Sequence, residues 1–467
     1  MLRTTNENLT SFKQDIPWTQ LSRTFQEAIS FARHLGLNYI WIDSLCIIQD
    51  VRRDWQEQSA LMATIYSNAY LTMAAGLSAS TRSWSPNADT KPSLARLRRT
   101  DGSSTPIYGR KGFKHSVGDL PLLRRGWVYQ ERLLSPRIIY FGSAEVVWEC
   151  REVRECQCGL AAREWPARPR VPVNLRFDPP YYFGGPDTPH ERWRGIIKDY
   201  SQLELTYPND IFPALSGLAQ AFQELMNDKY AAGFWVKRMA FDLLWYRKGC
   251  SNPFVRSSVH TNSIFPRWRA PSWSWASTHS VTVPIEFLSC TKPLVEAIEV
   301  EAEASGIDPY GELRKANLRL KARSISASIK HGMFTFAGML FSKETYRDEG
   351  AIDPYAATIR LVGMECLNTG RYRDFRVLQF GSHVEDLPFG RSTDAWLHAC
   401  FRREARSYMI IAEDTMDLAH WKRVGLMVVV ANVSDPSYNR PLERAHYANR
   451  VVFQTFDKAP LQEYTIW

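Results

Sequence analysis

The sequence contains no apolar run long enough to cross a bilayer. Stretches such as GLMVVVANV, Gly425 to Val433, fall well short of the roughly 20 residues that a membrane-spanning helix requires, so no membrane span is expected. The opening MLRTTNENLTSFKQDIP lacks the apolar core of a secretory signal, which makes a cytoplasmic setting the expectation. Cysteine is sparse, with 8 in 467 residues. Only Cys150, Cys156 and Cys158 lie near one another, and their spacing fits no zinc or disulfide pattern. The histidines form no HxxxH or HxH pair, so no metal site is expected. A glycine-rich phosphate loop and an internal repeat are also missing, and no cofactor is assigned.

What is present describes a folded chain. Hydrophobic residues make up 45% and the tryptophans number 16, enough large core pieces to exclude a disordered protein. The length implies two or three units, each burying its own apolar face. The formal charge of +9 is concentrated: between Lys91 and Arg137 eleven Lys or Arg face only Asp101, Asp119 and Glu131. Such a patch can attract phosphate, nucleic acid or an acidic protein. No ribonucleoprotein motif or paired-cysteine finger accompanies it, and much of it falls in the Ser-, Pro- and Arg-rich stretch Leu77 to Leu122. The expectation is a long solvated loop, with nucleic-acid binding through residues 91–137 a remote alternative.

Leu21, Phe25, Ala28, Ile29, Ala32 and Leu35 recur at helical spacing and stop at Gly36, a left-handed terminator. NYIWIDSLCII follows as an almost unbroken apolar run, expected to be a strand covered on both faces, with Asp43 near its end. Asp54 as N-cap with Glu57 three residues on predicts a capping box, opening a helix whose inner face carries Trp55, Met62, Ile65 and Tyr66. AYLTMAA is again a short strand, and this alternation predicts a parallel sheet with helices outside. Arg125 to Leu134 reads as a short helix ended by Pro136, before two strands, RIIYFG and EVVWEC. The expected organisation is an α/β domain over 1–150, a linker or extended wrap over 151–190, a helical segment over 191–250 and a β-rich domain over 251–467. The last is expected to be mostly antiparallel, from short stretches including LVEAIEVEA, YMIIAED and RVVFQTF.

Five blocks, LSRTFQEAISFARHLGLNYIWIDSLCIIQD, DWQEQSALMATIYSNAYLTMAA, RRGWVYQERLLSPRIIYFGSAEVVWEC, LTYPNDIFPALSGLAQAF and APSWSWAS, stand in this order. Together they resemble fungal heterokaryon incompatibility (HET) domain proteins. The first three cover the domain proper and the last two the region that often follows it. The resemblance implies a cytosolic effector of allorecognition or programmed cell death that works with a protein partner or by self-association. HET domains usually open on a strand reading like YVALSYCWG, so a shortened N-terminus, lacking the first strand of the sheet, is a further expectation. The family has been likened to Toll/interleukin-1 receptor (TIR) domains, which implies a TIR-like or flavodoxin-like parallel sheet in the α/β domain. Enzymatic TIR members cleave NAD with a glutamate, and Trp127 and Glu131 sit in the corresponding place.

Two readings of the chemistry stand side by side. If NAD is a substrate, Glu131 is the catalytic candidate, because one fixed carboxylate can stabilise the positive charge left on the ribose as nicotinamide departs. Asp43, Arg124, Arg125 and Trp127 are then the ligand-binding candidates, Asp43 at a strand end and the arginines suited to a pyrophosphate. Alternatively Glu131 sits on an exposed helix face pairing with Arg132 or Arg124, Trp127 packs into the core, and Asp43 accepts backbone hydrogen bonds at a turn. Trp273 and Trp275 are expected to be core plugs.

Overall fold

The computed structural model describes residues 2–75, 93–98, 100, 102–109, 120–142, 146–156, 188–247, 268–278, 285–288, 290–330, 333–336, 339–341, 359–362, 372–386, 402–414, 417–432 and 453–467. Most of the expected 151–190 linker and part of the 91–137 basic stretch lie outside these residues. The chain divides into two compact units. The first comprises Met1–Pro186, Leu203–Leu225 and Gly306–Glu312, and the second Asp187–Gln202, Met226–Ser305 and Leu313–Trp467.

The first unit mixes helices with a small sheet. Its Arg23–His34 helix starts where Ser22 accepts a hydrogen bond from the Phe25 amide and ends before Gly36, whose φ of +72° suits glycine. Phe25, Ala28 and Ala32 form its buried stripe. The sheet has four strands in the order Thr72–Ala75, Arg137–Phe141, Val146–Cys150, Arg154–Cys156. Only the first pairing is parallel, Thr72 opposite Ile138, and the other two are antiparallel. The parallel sheet expected from the alternation is therefore corrected to a mixed one, with one parallel pairing. Its core joins Ala74, Ile138, Tyr140 and Val147 to Leu120, Leu123 and Val128 beneath the Gly126–Leu134 helix.

Three local expectations are also corrected. Tyr39–Ile42 is not a strand, and Tyr39 stands 93% exposed. Apolar, β-branched sequence makes a strand only beside a hydrogen-bonding neighbour, and among the described residues none pairs with it. The Ile42 carbonyl instead accepts from the Leu45 and Cys46 amides and starts the short Asp43–Cys46 helix. Asp54 does not cap the Arg52–Asn68 helix; Val51 is the N-cap. The Asp54 carboxylate lies within the first turn and accepts from the Ile48 amide at 2.7 Å, while Glu57 pairs with Arg53. Within the expected long loop, Ser93–Arg98 and Ser104–Gly109 pair as an antiparallel hairpin.

The second unit is centred on aromatic packing and a barrel. Trp273 and Trp275 are buried, the first stacked on Phe234 and the second edge-on to Tyr200. Gly233 adopts φ +93°, and a Cβ there would lie 2.4 Å from the Trp275 indole nitrogen, so both conformation and space demand glycine. Leu313–Lys330, Tyr372–Asp386, Arg402–Asp414, Asp417–Asn432 and Leu461–Ile466 pair in succession, and the last pairs with the first, closing the ring. A closed ring leaves its members no open edge. RVVFQTF, expected as a strand, contributes to a helix over 453–458. Phe453 and Phe456, one turn apart, are both buried, and Phe456 lies 4.5 Å from the Tyr408 ring.

Candidate functional site

The site is built where the Gly126–Leu134 helix passes the Arg52–Asn68 helix and the Asp43–Cys46 turn. Gly126 and its neighbours are anchored by a bridge to residue 204, with the Gly126 amide donating to the Glu204 carbonyl and the Glu204 amide to the Arg124 carbonyl, each at 2.7 Å. The other end of the helix stops at Ser135, whose amide and hydroxyl both donate to the Glu131 carbonyl before Pro136 prevents another turn. The Asp43 turn is held by Thr4. The Thr4 amide donates to the Ser44 carbonyl, its hydroxyl to the Leu45 carbonyl at 2.6 Å, and its carbonyl accepts from Gln49.

These anchors bring Glu131 within electrostatic reach of Asp43 and Arg125 and into a hydrogen bond with the Tyr66 hydroxyl. Glu131 is half-buried as a residue, but its carboxyl is withdrawn from water. That desolvation, then the negative charge of Asp43, raises its pKa to about 7 against the opposing pull of Tyr66 and Arg125. Tyr66 is pushed well above the usual phenol range, first by burial and then by the charges of Glu131 and Asp43. At neutral pH the Glu131 carboxyl is divided between an acid that donates and a carboxylate that accepts, the condition for moving a proton.

Of the five residues singled out from the sequence, Asp43, Arg125 and Glu131 converge. Asp43 is exposed, and its Oδ1 also accepts from the Ser44 amide at 2.6 Å, so it serves its turn as well as facing Glu131. Trp127 is half-buried and committed: its Nε1 donates to Asp210 Oδ2 at 2.8 Å, and its ring meets Trp55 edge to face at 6.3 Å. Arg124 is exposed, and its carbonyl accepts from the Glu204 amide. The expected pairing of Glu131 with Arg132 is corrected, because Arg132 turns to the other side of the helix. There it meets Glu149 through Nε at 3.0 Å and its terminal nitrogen at 3.1 Å.

Sequence reasoning missed several polar residues. Tyr66 was read as packing only, although a tyrosine on a buried face needs a partner for its hydroxyl. Glu149, inside an apolar strand, is wholly buried and takes hydrogen bonds from Arg132 and Tyr140, with Arg154 at 3.4 Å. A charged residue in such a strand signals a buried partner. Gln130 is also wholly buried and accepts from the Gly217 amide on the Pro213–Met226 helix. Asp210, which carries no chemical signal in the sequence, accepts from the Trp127 indole.

Among the described residues no helix is long and apolar enough to cross a membrane, and no group of three or more His, Cys, Asp or Glu could hold a metal ion. Residues 3–131 match the family model described as Heterokaryon incompatibility protein (HET), so the matched segment ends on Glu131 itself. No curated protein and no solved structure matches the chain.

Proposed function

We propose, starting from a chain that is a heterokaryon incompatibility domain protein over residues 3–131, that it is an effector of allorecognition and programmed cell death acting through protein assembly. The observation that carries this reading is apolar surface inside the matched segment. Tyr39 is almost fully exposed on an extended stretch, and Leu35, Leu61 and Tyr70 are exposed as well. Where such side chains lie together they favour association with another surface. Sedimentation velocity of the full chain over a range of concentrations tests it, with Tyr39→Ser alongside. Concentration-dependent association weakened by Tyr39→Ser supports assembly, as does loss of growth arrest when the variant is expressed in cells. A wild-type chain that stays monomeric and unaltered by the substitution contradicts it.

A second reading is favoured by one specific observation, the convergence of Glu131, Asp43, Tyr66 and Arg125. The resemblance to TIR domains makes NAD the candidate substrate and the glutamate the catalytic group. A carboxylate at Glu131 would stabilise the cation left on the ribose, and Arg125 would meet the diphosphate. With a pKa of about 7, the carboxylate form grows as pH rises through neutrality, so turnover should rise over the same range. Incubation with NAD separates the readings. Nicotinamide release that is lost in Glu131→Ala supports the hydrolase, whereas wild type and variant equally inactive supports assembly alone.

A further inference from the structure

The second unit contains a layer of polar groups that neither reading of the HET domain uses. On the Pro189–Tyr200 helix, His190, Trp193 and Arg194 are spaced by three and four residues and share a face. Trp235, Arg238 and Asp242 come from the Phe234–Trp235 strand, the Val236–Arg238 turn and the Met239–Asp242 helix. Two contacts set these segments side by side. Arg194 Nε lies 2.7 Å from Asp242 Oδ1, and the Trp193 and Trp235 rings meet edge to face at 5.7 Å. Arg238 lays its guanidinium over Phe241 at 4.1 Å.

Three members of the layer share a deficit. His190 Nε2, Trp235 Nε1 and Arg238 Nε are all buried and have no hydrogen-bond partner, and Trp235 is wholly buried. Buried donors are normally satisfied, and the cost of leaving one unmade is large. Arginine and indole nitrogens donate only, and a protonated imidazole donates from both nitrogens. At Trp235 and Arg238 the missing element is therefore an acceptor. Its charge is indicated by the surroundings: burial first, and then Arg238, holds the imidazole of His190 below its ordinary value. Arg194 and Lys237 act in the same direction and Asp228 alone opposes them. Arg194 is already paired with Asp242, and the same two arginines also reach the Cys290 thiol.

We propose that His190, Trp235 and Arg238 form a binding site for a small oxyanion of the phosphate type. Arg238 supplies a charge-assisted hydrogen bond, the indole a neutral one, and His190 a third once the bound anion favours its protonation. A tetrahedral oxyanion offers enough acceptors for all three.

Calorimetric titration of the full chain with inorganic phosphate, against chloride at matched ionic strength, tests the proposal. Saturable binding to one site is expected, weakened by about tenfold or more in Arg238→Gln. NMR of the histidine rings in the wild-type chain, with His190→Gln to assign the signal, gives a second readout that does not depend on the arginine variant folding. Phosphate should raise the His190 titration midpoint by about one pH unit. Adenosine monophosphate run in parallel distinguishes the source: binding of phosphate alone assigns the free anion, binding of both assigns a phosphate ester, and either outcome supports the site. Absence of saturable binding with an unmoved His190 midpoint, or phosphate affinity unchanged in Arg238→Gln, overturns it.

Discussion

Glu131 stands on the Gly126–Leu134 helix and Glu149 is held by the next residue of that helix, Arg132, and their surroundings differ in the way that separates a titrating group from a structural one. Glu149 is wholly buried, with a two-point contact from Arg132, a 2.7 Å hydrogen bond from Tyr140 and Arg154 close by. Glu131, one residue before Arg132, has a hydrogen bond from Tyr66, the opposing pull of Arg125 and the like charge of Asp43. Desolvation of a carboxylate is tolerated when cations and donors surround it, and otherwise shifts its proton affinity. One helix thus holds a locked carboxylate on one side and, on the other, one poised to exchange its proton.

The comparison can be broken at either side, and the largest effect is expected on the locked side. Arg132→Met removes a partner from a fully buried carboxylate and should cost about 3–5 kcal/mol in denaturant unfolding of the full chain. A loss below about 1 kcal/mol would mean that Arg154 and Tyr140 suffice.

On the poised side, the folded-state pKa of Glu131 is raised, so its contribution is fully present below the unfolded value near 4.5. It is lost as pH rises through about 7. That difference corresponds to roughly 3 kcal/mol. Glu131→Gln, which cannot ionise, should flatten the decline in stability between those pH values, and unfolding measured across the range checks it.

Trp127→Phe keeps the edge contact with Trp55 but leaves Asp210, already raised in pKa by burial, without its indole donor. A loss of about 1–3 kcal/mol is expected from the melting temperature. The smallest effect serves as a control: Arg23→Ala removes an exposed pair with Glu27 one turn away and should change stability by only a few tenths of a kcal/mol.

Local signals in the sequence were good guides where structure is decided locally. Gly36 ends the first long helix as its sequence implied, and Arg137–Phe141 and Val146–Cys150 follow their apolar patterns, whereas the Asp54–Glu57 capping signal did not hold. The barrel strands were visible for the same reason, although Phe453 and Phe456 show how a short apolar run with residues one turn apart can be helical instead. Tyr39–Ile42 failed because strand formation needs a neighbour, which no local pattern supplies. The candidate site was partly visible. Glu131 was singled out through resemblance and Asp43 through a strand end, and the fold brings Asp43 near Glu131 although that strand does not form. Tyr66 and the Arg132–Glu149 pair were not visible as polar partners, because such pairings are made by tertiary packing between segments distant in the chain.

The coupling of Glu131 to Asp43 is tested most directly by following the Glu131 carboxyl through a pH titration, by carbon-detected NMR of the folded chain, in wild type and in Asp43→Asn. The structure predicts a wild-type midpoint of about 7 that moves to lower pH when the Asp43 charge is removed. A midpoint in the ordinary carboxylate range, unmoved by the substitution, would contradict it.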